Sequence, residues 1–329
     1  MLGYEKYRYT LLVTVSAAAL MVTVERGPLA ADIAAPVAQD QWWVSVEGQY
    51  LLFDGDKARY SLDGAEGFGD AFGRHNFKDK LKPDDGWGIG GEIGFRPADS
   101  LWSYVGRLRY GQSNKEKSKN GGFYYSSFYD NSGFNGKADH REEHIIADLE
   151  IGRDVGLGAF GDGSNLRVFG GVRFAHFKGK GSISSSNYSW DGPDVNGEAK
   201  VERKFTGIGP RIGFDAIMPL SDMFALDVGA AGSVLFGKQK FDASGHYSSF
   251  GSGEIDQERS KTVVVPNLEA SAAFSWLVTD NAKFSLGYRV DSYFDVYDNG
   301  DIFGGRDSGD RIIHGPFIKL TIGSGGAGR

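Results

Sequence analysis

The sequence predicts one closed, antiparallel transmembrane β-barrel of about ten strands, all-β, on three observations. Apolar and polar residues alternate with period two in ten segments, as in strands with one dry and one wet face. The connections between those segments alternate between long and short. The composition, with 49 Gly, 23 Phe, 15 Tyr and 6 Trp against 4 Met in 329 residues, favours strands and turns over long helices.

The first segment is Trp42–Phe53, with Val44, Val46, Gly48, Tyr50 and Leu52 on one face and Ser45, Glu47 and Gln49 on the other. Gly86–Arg96 sets Ile89, Ile93 and Phe95 against Glu92 and Arg96, and Leu101–Gln112 sets Trp102, Tyr104 and Leu108 against Ser103, Arg107 and Arg109. Arg141–Val155 opposes Ile145, Ala147, Leu149 and Ile151 to His144, Asp148 and Glu150. In Asn165–Phe177, Leu166, Val168, Val172 and Phe174 face away from Arg167 and Arg173. Val201–Ile217 places Ile208, Ile212 and Phe214 opposite Arg211 and Asp215, and Met223–Gln239 has Phe224, Leu226, Val228, Ala230, Val234 and Phe236 on one face. In Thr262–Val278, Val264, Leu268, Ala270, Ala272, Phe274 and Trp276 oppose Asn267, Glu269, Ser271 and Ser275. Lys283–Val296 and Arg311–Ile322 complete the set.

The long connections are 54–85, 113–140, 178–200, 240–261 and 297–310; the short ones are 97–100, 156–164, 218–222 and 279–282. Outer-membrane barrels have short periplasmic turns, long external loops and an even strand number, which leaves both termini in the periplasm. Closure follows from solvation, because a bilayer offers no water to the unpaired N–H and C=O groups of an open edge. A soluble sandwich also alternates, but its strands are typically about 5–6 residues, shorter than these segments. Trp43, Trp87, Trp102, Tyr110, Phe224, Phe236, Trp276 and Phe294 lie near segment ends, where interfacial girdles belong. Pro210, Pro266 and Pro316 predict bulges, since a closed barrel has no edge to hold them.

Ahead of the barrel, the apolar run Leu11–Val24 follows Lys6 and Arg8 and stops at Glu25-Arg26-Gly27-Pro28. It is too short to span a bilayer as a helix and fits a secretory signal cleaved after Ala31. A buried N-terminal helix is the alternative. The expected organisation is thus a signal peptide over 1–31, a periplasmic segment over 32–41, the barrel over 42–322 and a flexible tail over 323–329. The place of such a chain is the bacterial outer membrane, with its lipid as the first partner.

The formal charge is −7 with both signs interspersed, which argues against nucleic acid as a partner. The absence of cysteine removes disulfides, thiolate metal sites and a lipobox. Gly156-Leu157-Gly158-Ala159-Phe160-Gly161 matches a dinucleotide fingerprint by letters, but Asp162-Gly163-Ser164-Asn165 follows where a helix should start, so it reads as a turn. Asp295, Asp298, Asp301, Asp307 and Asp310 lack EF-hand spacing and read as a solvated acidic loop. His140 and His144 beside Asp139, Glu142 and Glu143 are the nearest approach to an acid–base constellation, and they read as strand-end charges. No enzyme, metal or cofactor is predicted. The loops, rich in Gly, Ser and Tyr, suit solvated connections or contacts with surface ligands.

The opposite faces of the strands carry ionisable residues of both signs. Among them Arg107, Arg109, Asp148, Glu150, Arg173, Arg211, Asp215, Asp227, Glu269, Arg289 and Asp291 are the candidate lining of a pore, with Glu47, Glu92, Arg96, Arg167 and Lys319 on the same faces. On the lipid face each would cost about 2–4 kcal/mol at the midplane, so they are expected in the lumen. There they either line an aqueous channel or pair into a plug, and a ten-stranded barrel is narrow enough for side chains to fill. The first loop, Asp54–Asp85, is a candidate constriction.

Gly207-Ile208-Gly209-Pro210-Arg211-Ile212-Gly213-Phe214-Asp215-Ala216, Val263-Val264-Val265-Pro266-Asn267-Leu268-Glu269-Ala270, Leu286-Gly287-Tyr288-Arg289 and His314-Gly315-Pro316-Phe317-Ile318-Lys319-Leu320 resemble the pore-forming outer-membrane proteins related to the Legionella major outer membrane protein. The likeness is clearest from Phe205 to Ile322. It implies a barrel that passes small hydrophilic solutes or ions passively and takes part in surface attachment, with no catalytic residue. The alternative function is a non-conducting barrel that serves as an adhesin or structural protein.

Overall fold

The computed structural model describes residues 39–56, 58–59, 80–81, 83–114, 116–121, 125–127, 130–155, 164–188, 195–248, 252–299 and 308–324. The expected signal peptide and most of the first loop, including its expected inward fold, lie outside these residues, as does the 156–161 glycine motif. Ten strands form the wall: β1 (Gln41–Gly55), β2 (Gly86–Arg96), β3 (Trp102–Ser113), β4 (Asp130–Asp154), β5 (Asn165–Tyr188), β6 (Val195–Pro219), β7 (Phe224–Ser248), β8 (Ser252–Thr279), β9 (Ala282–Asp298) and β10 (Ser308–Gly323). Each pairs antiparallel with its neighbours in sequence, and β1 pairs with β10, Trp43 opposite Gly323, to close the ring. Through the membrane span each strand is thereby paired on both sides, which the bilayer demands. Two short strands, Glu116–Gly121 and Tyr125–Ser127, add to the outer part of β4.

The period-two pattern sorts the side chains as expected. Leu149 and Ile212 point into lipid at 70% and 68% exposure, while Arg173 and Arg211, on the opposite faces, are 0% and 4% exposed. The apolar belt is edged below by Trp42, Trp102 and Trp276 and above by Tyr50, Trp87 and Tyr288, all exposed. Trp42 packs on Phe95 with ring centroids 4.2 Å apart. Trp43 is not a girdle residue. It turns inward and donates from Nε1 to Glu92 at 2.8 Å, because its parity in β1 is that of Ser45 and Glu47.

Two further expectations need correction. The segments 178–200 and 240–261 are largely strand, and so is the later part of 113–140. β4 to β8 run 24–28 residues, about twice the ~9–11 residues that cross the hydrocarbon. Outside the membrane no face meets lipid, so the outward apolar row ends while the ladder of backbone hydrogen bonds continues, with Val201, Phe241 and Ala243 on the inward face. The prolines do not make bulges. Pro210 pairs with Val172 in unbroken register, as Pro266 does with Val234 and Pro316 with Tyr288. Each forgoes a ladder donor without moving the register, whereas the register shifts lie at Leu277/Thr279 and Tyr293/Tyr297. Asp295, with φ of 56°, sits in the second of these.

Many glycines belong to the wall and not to turns, since a large lumenal side chain needs a neighbour without Cβ. A Cβ on Gly94 would fall 1.9 Å from the Trp43 ring, and one on Gly152 would fall 2.3 Å from Nε of Arg167. Gly94→Val should therefore displace Trp43 from Glu92. The expected result is a melting midpoint of the folded band, read by heat-modifiable gel migration, several degrees below wild type. The same change at Gly91, which has only the Ser45 carbonyl at 3.8 Å, should leave it nearly unchanged.

Candidate functional site

Inward parity on eight of the ten strands brings guanidinium and carboxylate groups to one level of the lumen. Arg173 on β5 chelates Asp148 on β4 with two bonds of 2.7 Å and donates to Asn267 Oδ1 at 2.7 Å and Glu269 Oε2 at 2.5 Å. Arg109 on β3 donates to Asp291 on β9 at 2.7 Å and to Glu269 on β8 at 3.0 Å. Arg211 joins Glu150 at 3.2 Å and Glu269 at 3.1 Å. Arg107 holds Glu92 and Glu150 at 2.8 Å and Asp215 at 3.0 Å. Arg167 adds Glu150 at 3.1 Å, Asp215 at 2.9 Å and the Ser103 hydroxyl, and Arg289 binds Glu47 through both Nη atoms. Glu150 and Glu269 are the hubs, each shared by three arginines.

This is the arrangement that burial requires. A lone charge taken from water costs several kcal/mol, and planar guanidinium forks repay that cost only by meeting carboxylates at both nitrogens. The rings beneath contribute as well: Arg107, Arg167 and Arg211 all lie over Phe169, at 5.7, 5.0 and 5.4 Å from its centroid.

All eleven residues singled out in the sequence face the lumen, and ten of them belong to this network. Asp227 lies apart, toward the periplasmic end, where Lys283 Nζ reaches it at 3.0 Å and Ser275 donates at 2.8 Å. Of the other five inward charges, Glu47, Glu92 and Arg167 join the network, Arg96 pairs with Asp154 below it, and Lys319 stands opposite Glu47 across the β1–β10 seam.

A second tier escaped the sequence reading. Above the charges, Phe53, Phe177, Phe205, Tyr293 and Tyr297 fill the lumen with Leu51, Ile146, Leu235, Val265 and Ile313, all at most 3% exposed. Phe177 on β5 meets Tyr293 on β9 edge-on at 4.6 Å. Parity marks these residues, since Phe205 is in phase with Arg211 and Tyr293 with Arg289, but apolar residues on a polar face read as interruptions. Between the tiers a cavity of about 10 Å³, lined by residues including Glu47, Gln49, Leu51, Arg109, His144 and Asp291, has room for one water.

A third tier corrects the view of His140 and Glu142 as strand-end charges. Both are buried in mid-strand because β4 continues outward beyond them. Nε2 of His140 lies 2.8 Å from Glu142 Oε1, Arg311 donates to the same oxygen at 2.7 Å, and Ser113 Oγ accepts from the Glu142 backbone at 2.8 Å. Glu143, with the other parity, faces outward. Of the acidic residues expected in a solvated loop, Asp295 is exposed and its backbone N–H donates to Asp310 at 2.8 Å, whereas Asp298 is buried and pairs with Arg259 at 3.6 Å; Asp301 and Asp307 lie outside the described residues. Among the described residues no group of three or more His, Asp or Glu is placed to hold a metal ion.

Among solved structures, the outer membrane protease OmpT from Escherichia coli superposes with a TM-score of 0.50 at 12% identity, over 89% of this chain and 100% of that one. The translocator domain of the autotransporter NalP from Neisseria meningitidis gives 0.34 at 12% identity, over 95% and 94%. At such identities the likeness to OmpT is one of fold alone, that of an outer-membrane barrel. No curated protein sequence matches. The family model of the Legionella pneumophila major outer membrane protein precursor matches residues 35–323. The chain, a β-barrel of the bacterial outer membrane, belongs to the Legionella major outer membrane protein family.

Proposed function

We propose that this protein is a closed outer-membrane barrel that stands in the membrane as a structural and surface-presenting scaffold, with its lumen sealed at rest. One observation carries the reading: Arg109 on β3 and Glu269 on β8, five strands apart in a ring of ten, meet at 3.0 Å across the full width of the lumen. The aromatic tier and the Glu142–Arg311 tier lie above that bridge. Outward, the strand pairs β4–β5, β6–β7 and β7–β8 carry ladder pairs to Gly133↔Tyr188, Asn196↔Ser248 and Ser248↔Ser252, a platform for contacts at the cell surface. A non-enzymatic role fits the burial of His140 and Glu142, which face each other and not a cleft.

The second reading is passage of small ions or hydrophilic solutes, as the family resemblance implies. A specific feature favours it. Arg211 lies within reach of Glu150 at 3.2 Å, Glu269 at 3.1 Å and Asp148 at 3.9 Å, so partner exchange among these groups opens a gap without breaking a strand pair. Flux from proteoliposomes separates the two. The sealed barrel retains potassium, whereas efflux from wild-type vesicles, altered in selectivity by Arg211→Glu, favours the pore.

A further inference from the structure

The outward face above the apolar belt is not uniform around the barrel. On most strands the upper rim is aromatic or neutral, as at Tyr50, Trp87, Tyr110 and Tyr288. On β5, β6 and β7 it is lysine. The strand register sets out successive rows there: Phe174, Ile208, Phe236 and Val264 form an exposed apolar row. Next come His176, Thr206, Lys238 and Thr262. Then Lys178 faces Lys204, and Lys204 faces Lys240, three ammonium groups directly opposed across adjacent strands.

Like charges directly opposed in a sheet are destabilising, so this row lowers the stability of the bare protein. Carboxylates offset it in part. Glu202, one row farther out, lies 3.7 Å from Lys178 and 3.5 Å from Lys180 and also contacts Lys204, while Glu143 reaches Lys178 at 3.9 Å. Burial raises the affinity of the Glu202 carboxyl for its proton, but the Lys204 hydrogen bond and the fields of Lys178, Lys204 and Lys180 outweigh this and hold it below its ordinary value. Asp242 and Glu258 continue that acidic row. Lys238 and Lys240 are exposed, and among the described residues neither joins an ion pair.

We propose that the outward face of β5–β7 binds a phosphorylated outer-leaflet lipid, its phosphates held by Lys178, Lys204, Lys238 and Lys240 and its acyl chains lying on Phe174, Ile208 and Phe236. The height is right. Two residues advance a strand by about 7 Å, so the lysine rows stand roughly 7 and 14 Å along the strand above the last apolar row, which strand tilt brings to headgroup depth. Lysine stems cover apolar surface while the ammonium reaches the charged layer. A phosphate between opposed ammonium groups turns their repulsion into charge-assisted hydrogen bonds. The outer acidic row separates this site from a general anion sink and confines the attraction to the headgroup level.

The test titrates the folded, detergent-purified chain with bisphosphorylated lipid A, with the same lipid after phosphate removal, and with inorganic phosphate, following bound lipid by native mass spectrometry. The expected result is binding of the bisphosphorylated lipid that weakens steeply with salt, at least tenfold weaker binding by Lys204→Gln/Lys238→Gln/Lys240→Gln, and no comparable binding of the other two probes. If the triple variant does not fold, Lys238→Gln/Lys240→Gln carries the same test, since both side chains are exposed. Equal affinity for the dephosphorylated lipid, equal affinity in the variants, or saturation by inorganic phosphate alone would each overturn the proposal.

Discussion

Replacing Glu269 by alanine is expected to cost the barrel about 3–5 kcal/mol, the range for removing one partner from a buried ion pair. The carboxylate is shared by Arg109, Arg173 and Arg211, at 3.0, 2.5 and 3.1 Å. Its loss leaves three guanidiniums on three strands facing one another, with Asp148, Glu150 and Asp291 as their remaining counterions. Equilibrium unfolding in urea from lipid vesicles reads the effect. Asp227→Ala is the matched control, because among the described residues that carboxylate meets Lys283 and Ser275 alone, near the periplasmic end, and its loss should cost much less. Equal losses at the two sites would contradict the view that the central network is one coupled unit.

Arginine on the outer face supplies the second large effect. Ile212 lies at mid-belt on β6, two rows inside Ile208 and 68% exposed. Ile212→Arg should therefore cost about 2–4 kcal/mol, while Thr206→Arg on the same face of the same strand, above the belt, should cost about 0–1 kcal/mol. The same unfolding titration in vesicles reads both. The depth dependence is the decisive part. A soluble or lumen-facing position would not distinguish these two sites, and equal costs would mean that this face does not contact lipid.

Much of the architecture was legible in the residues because membrane and lumen impose opposite demands on alternate positions. Arg107 and Leu108, or Arg211 and Ile212, declare their faces by chemistry alone, and the run of such pairs places ten strands. The legibility ends where one of the demands ends. Outside the bilayer the outward positions turn polar, as at Lys178, Lys180, Lys240 and Asp242, while the apolar Phe241 and Ala243 fall on the inward face, so these strands read as loops. Trp42 and Trp43 both look interfacial, and their parity in β1, Trp43 being in phase with Ser45 and Glu47, assigns one to lipid and the other to the lumen. Glycines such as Gly94 and Gly152 suggest turns by composition, yet they stand in strands to admit large lumenal neighbours.

The candidate site divides in the same way. Sign alternation identified the inward charges, but pairing across the lumen depends on barrel curvature, which no local pattern contains. Arg109 meets Glu269 from a distance of 160 residues. The proposed plug, in place of a water-filled ring of charges, rests on that contact and on Phe177, Phe205 and Tyr293 above it. These apolar residues lie on faces that otherwise read as polar, so residue chemistry alone gave no reason to stack them.

The sealed lumen is tested most directly by single-channel recording on the purified wild-type barrel in planar bilayers, with insertion verified independently by heat-modifiable migration of the recovered protein. A flat trace is expected for the wild type. Stable conductance steps from the wild type at rest would contradict it.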